Sequence, residues 1–329
     1  MNLSRLLPDR FTLSLIATVG VASLLPCRGM AASAFDVFTN IAIALLFFLH
    51  GTRLSRQAIV NGATHWRLHL LVVASSFAFF PLMALALKPV LAPLVTPGLY
   101  AGVIIMCTMP STVQSSIAFT SIARGNISAA VCSASLSSLL GVFLTPLLVG
   151  LLLMRHQSES SSLHAVFDIV MQLLVPFIAG HLSQRWIGEW VGRHGVLVGA
   201  VDRGSILLVV YTAFSEAVVE GLWHQVTPDA LLGLLLVTSL MLALALMTTT
   251  FAARGFGFGK EDEIAIVFCG SKKSLASGLP MIKVIFAGQA IGVAVLPLML
   301  FHQIQLMVCA VLAQRYAERK SPGAHSAES

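Results

Sequence analysis

Lys272 and Lys273 stand side by side near the middle of an otherwise apolar segment running from Ile264 to Phe286, and Glu216 is the only acid far inside the apolar run from Ile206 to Trp223. A charge at the centre of a bilayer costs about 2.5–3.5 kcal/mol on insertion scales, so adjacent charges there mark a functional site. At roughly 1.5 Å per residue, Lys272 lies about 13 Å along a helix from Glu263, too deep for easy snorkelling to water. Two neighbouring ammonium groups at that depth are suited to attracting an anion. Gln114, Ser115, Ser116, Ser271 and Ser274, in the polar interruptions described below, are the candidate hydrogen-bonding groups beside them. Glu216 has two readings: it pairs with Lys272 or Lys273, which lowers the cost of both charges, or it faces a water-filled cavity as a proton site. His50, His302 and the serines between Ser133 and Ser138 read as hydrogen-bonding and close-packing groups between helices.

The elements that must position these residues are membrane helices. The 329 residues are 57% hydrophobic and 10% charged, and the mean hydropathy is +0.89, a balance that excludes an ordinary soluble domain. The chain reads as an all-α polytopic membrane protein with ten spans, near 11–29, 34–53, 66–88, 98–123, 127–154, 164–184, 204–223, 229–252, 263–287 and 290–314. Of the 20 Lys and Arg residues, 14 fall in connections on one side and 4 on the other, and the two buried lysines complete the total. The positive-inside rule then puts both termini in the cytoplasm, in a cytoplasmic (inner) membrane. The net charge of +6 reflects this orientation, and no nucleic-acid partner is called for. Arg5 and Arg10 before an apolar run, with Ala32-Ser33-Ala34 after it, resemble a leader peptide, but an uncleaved first helix is the favoured reading for a multispanning chain.

Ten spans divide into 11–154 and 164–314, followed by a polar tail at 315–329, and five spans per half make the second half an inverted copy of the first. The fourth span is interrupted at Pro110 and the serines following it, and the ninth at Gly270-Ser271-Lys272-Lys273-Ser274 with Gly278 and Pro280 beyond. Pro110, Gly270, Gly278 and Pro280 are the expected helix breakers. Unwound backbone survives at membrane depth only inside protein or beside a polar cavity, and paired breaks in corresponding helices point to a transporter binding site. The five cysteines show no metal or disulfide pattern, Glu261 spoils the phosphate-loop look of Gly255 to Lys260, and no hydrolase motif occurs, so an enzyme is not expected.

Leu45 to Leu54, Cys107-Thr108-Met109-Pro110, Ala123-Arg124-Gly125-Asn126, Phe268 to Leu275 and Phe301-His302-Gln303-Ile304 together resemble the bile acid:sodium symporter family, in particular its SBF-like bacterial branch. The resemblance implies a core subdomain holding discontinuous, crossing helices 4 and 9, a panel subdomain that moves against it, and transport of an organic anion such as a steroid conjugate or another carboxylate. It also implies departures. Ser115-Ser116 stands where coupled members carry Ser-Asn, Cys269 and Lys273 replace a glutamate and a glutamine that bind sodium, Ser76 replaces a glutamine, and Ala130 and Ala134 replace hydroxyl ligands. A hard cation needs several oxygens, so the sodium site is depleted. An ammonium at the crossover takes over its electrostatic role, and sodium or a proton is left as the coupling ion, with no cofactor. The function expected is secondary transport of a small organic anion across the lipid bilayer. The alternative is a non-transporting membrane sensor or regulator that binds a small anion at the crossover.

Overall fold

The computed structural model describes residues 10–53, 65–153, 159–221, 226–286 and 292–318. Arg5, Arg56, Arg155, Lys320 and most of the tail at 315–329 lie outside the described residues. All regular secondary structure among the described residues is helical, without strands. We label the helices α1 (Arg10–Leu24), α2 (Met30–Arg53), α3 (Trp66–Ala86), α4 (Pro97–Thr108), α5 (Gln114–Ile122), α6 (Ile127–Leu153), α7 (Glu159–Arg193), α8 (Gly195–Val219), α9 (Pro228–Gly255), α10 (Lys260–Gly270), α11 (Leu275–Ile285) and α12 (Gly292–Ala317). Six of them, α2, α3, α6, α8, α9 and α12, are each long and apolar enough to cross a membrane.

Local chemistry sets the boundaries. α4 and α9 both start on a Thr-Pro pair, in which Thr96 or Thr227 accepts a hydrogen bond from the backbone N–H three residues on and the proline occupies the first helical position. α4 stops before Pro110, whose ring disfavours helical backbone at Met109, and Met109 is extended at ψ 150°. α10 stops at Gly270, and α11 restarts where Ser274 accepts from the Ser277 N–H. The second interruption is therefore shorter than expected: Gly278 and Pro280 lie inside α11. Gly278 does packing work there, since a methyl group at that position would come within 2.7 Å of Leu298. α3 widens into a π turn over Ser75–Phe79 just before Pro81, relieving the clash a proline ring makes with the preceding turn.

The helices pack in two groups. α1, α2, α7 and α8 form one, with α2 and α7 in direct backbone contact because Gly51 faces the Phe177 carbonyl and Gly180 faces that of Phe48, leaving no room for a side chain at either. The other helices form the second group, where α4 packs on α12 and α10 on α5, α6 and α9, and the two groups touch where α7 meets α6 and α11 and where α8 meets α11 and α12. Both interruptions lie in this group and meet face to face.

Candidate functional site

Each interruption leaves the last carbonyls of a half-helix without backbone donors, a cost that hydrocarbon cannot relieve. At the end of α10 Ser271 donates its hydroxyl to Val267 O (2.6 Å), which also accepts from the Ser271 N–H, and three serine hydroxyls supply the bonds that are missing: Ser116 to Phe268 O (2.9 Å), Ser111 to Cys269 O (2.5 Å) and Ser75 to Gly270 O (2.8 Å). These serines come from both interruptions and their flanks and from the π turn of α3. The two interruptions are also joined directly, the Ser274 N–H donating to Pro110 O at 2.8 Å. From α6, Thr145 donates to Thr108 O and Ser137 accepts from the Ser111 N–H.

Lys273 serves the end of α4 in the same way. Its ammonium donates to Cys107 O (2.8 Å), Met109 O (2.8 Å) and Ser76 O (2.7 Å), and it lies 4.2 Å from the centroid of the Phe80 ring. A cation at a helix C-terminus complements the partial negative charge there. The third carbonyl is available for a reason visible in the chain. In the π turn the Phe80 N–H bonds Ser75 O; the next donor due, for Ser76, is the nitrogen of Pro81, which has no hydrogen. Gln305 of α12 then clamps the Lys273 peptide from both sides, accepting from its N–H and donating to its carbonyl, each at 2.9 Å. Lys272 is equally buried but differently held: its ammonium sits 3.4 Å from the Ser115 hydroxyl and 4.4 Å from the centroid of the Phe119 ring.

Glu216 meets neither of these lysines. It pairs with Lys283 of α11 at 2.6 Å, and Asp36 of α2 lies 3.0 Å from the same ammonium. The expected pairing with Lys272 or Lys273 is corrected by direction: those two ammonium groups are engaged by the carbonyls and by Ser115 and the rings, whereas Lys283 at the far end of α11 projects toward α8. The cluster ties α11 to α2 and α8 in the other helix group.

A cavity of about 530 Å³ opens between the two groups, within the usual size range of small-molecule sites. Both interruptions border it, through Thr112 and Val113 on one and Ser274 on the other, together with the first turns of α5 and α11. The opposite wall comes from α1, α2, α7 and α8, with Phe47, Phe177 and Ile206 as apolar surface. Of the residues singled out from sequence, Gln114, Ser115 and Ser274 are on the wall, as are His50 and His302, while Ser116, Ser271, Lys272, Lys273 and Glu216 are not.

Residues 9–318 match the SBF-like CPA transporter family. The chain belongs to that family. It is 65% identical to an uncharacterised protein of Pseudomonas aeruginosa, over 98% of this chain and 97% of that protein. It is 55% identical to the Escherichia coli protein YfeH, whose name describes it as a candidate symporter, over 96% and 95%. It is 30% identical to the sodium/bile acid cotransporter 7 of Rattus norvegicus, over 94% and 93%. The family is one of transporters, so this is a multi-pass membrane protein of the bile acid:sodium symporter type and not an enzyme.

In this SBF-like chain some groups that build the site carry no sequence signal of their own. Ser75, Gln305 and Asp36 pass as ordinary polar residues, and Ser137 reads as a packing serine. Pro81 was the detectable cue, since a proline inside an apolar span announces freed carbonyls upstream.

Proposed function

We propose that the protein is a secondary active transporter of an organic anion, with ten spans in two inverted five-helix repeats, both termini cytoplasmic in the inner membrane, and a substrate site in the cavity beside the paired interruptions. The observation that carries this reading is the cavity itself: it lies between the two helix groups, and both interruptions border it. α4–α5 and α10–α11 serve as the discontinuous crossing helices of a core, and α1, α2, α7 and α8 as the panel that moves against it. Gln114, Ser115 and Ser274 contact the substrate. Lys272 raises the local positive potential from one hydroxyl behind the wall, and Ser116 and Ser271 hold the half-helix end in shape.

Lys273 acts as a resident cation in place of bound sodium. Its ammonium already occupies three backbone carbonyls, and Ala130 and Ala134, which pack with Cys269, bring no side-chain oxygen of the kind sodium needs. The test is uptake of steroid conjugates and simpler carboxylates into proteoliposomes, with and without sodium and proton gradients. Concentrative uptake of an anion without sodium is the expected result, and Lys273→Gln should weaken it. A steep sodium requirement in the unmutated protein would show the reading of Lys273 to be wrong, and saturable binding without any uptake would favour a sensor.

A further inference from the structure

Among the described residues that line the cavity, Arg203 on α8 is the one Lys or Arg. It is exposed, and it makes no hydrogen bond or ion pair with another described residue. The adjacent Asp202 lines the same wall but is only 7% exposed. Lys272 and Lys273, by contrast, are fully buried, with their ammonium groups committed to Ser115, aromatic rings and backbone carbonyls. A free guanidinium presents a planar fork of donors that matches a carboxylate, sulfonate or sulfate in two parallel bonds. The rest of the lining is mixed, with Gln114 and Ser138 polar and Phe47, Val142 and Ile206 apolar.

We infer that Arg203 is the anion-recognition residue of this cavity, and that the ligand it selects is an amphipathic monoanion whose charged end meets the guanidinium while its apolar body lies against Phe47, Phe177 and Ile206. The inference rests on the cavity being the substrate site, and it adds a charged contact on the panel to the amide and hydroxyl contacts of the core. Carrying the anchor on α8 makes binding sensitive to the relative position of the two helix groups.

The experiment reads the field in the cavity without needing the substrate. A cysteine is placed at Ala118, an exposed residue of the wall, in a Cys27→Ser background, the remaining cysteines being buried. Its modification rates are measured in purified protein with two methanethiosulfonates, one bearing a sulfonate and one a trimethylammonium group. Arg203→Gln should lower the sulfonate-to-ammonium rate ratio several-fold, the direction expected when a unit positive charge is removed from the wall of a shared cavity. Arg203→Lys should keep most of the preference. An unchanged ratio in Arg203→Gln, with Ala118→Cys still reactive, would overturn the role of Arg203 and leave the cavity standing. A cysteine at Ala118 that reacts with neither reagent would remove the open cavity, and the substrate site with it.

Discussion

At the scale of single residues the buried charges divide by what surrounds them. Lys273 is held by carbonyls, Lys272 by a hydroxyl and rings, and Lys283 by the carboxylates of Glu216 and Asp36. The last arrangement makes a prediction about rank. Glu216→Gln leaves Lys283 one carboxylate, whereas Lys283→Met leaves two carboxylates without their cation, so the lysine substitution should cost more stability. In a double-mutant cycle read by thermal unfolding of the purified protein, Glu216→Gln and Lys283→Met should couple by about 1–3 kcal/mol. Glu216→Gln and Lys273→Met should simply add. Coupling to Lys273 of the same size would contradict the pairing described above.

At the scale of elements, the interruptions in α4–α5 and α10–α11 are well-bonded pieces of structure rather than loose joints. Every carbonyl from Val267 to Gly270 has a side-chain hydroxyl donor, and the amide of Gln305 fixes the peptide that aims Lys273. Leaving one such buried backbone group unsatisfied costs about 1–3 kcal/mol. Gln305→Met, which keeps the volume and removes the clamp, should therefore speed hydrogen exchange at residues 271–274 and lower the unfolding temperature. The exchange of α6 should stay as it was. Unaltered exchange at 271–274 would mean that the Ser274–Pro110 bond and the Lys273 ammonium suffice to hold the second interruption.

At the scale of the whole molecule, two helix groups meet across a cavity on one side and are tied by the Asp36–Lys283–Glu216 cluster on another. The distribution of 14 positive residues against 4 carries the prediction of orientation. Reporter fusions after Arg56, Arg193 and Lys260 should read cytoplasmic, and a fusion after Arg155 should read external. An external signal at Arg56 or Lys260 would overturn both the orientation and the inverted halves.

Membrane insertion, the all-helical class, the polar interruptions after Pro110 and Gly270 and the family itself were all legible in the chain, because each follows from local composition or from short contiguous motifs. Proline and adjacent lysines announce themselves wherever the chain goes. The partner of Glu216 did not, since Lys283 is 67 positions away and shares its segment with two lysines set deeper in the apolar run. Neither did the serine donors around α10 or the register shift that exposes Ser76 to Lys273. A helix end dictates from sequence alone that its last carbonyls need donors, but which side chains reach them is a matter of distance, and distances between separate helices exist only once the helices are packed.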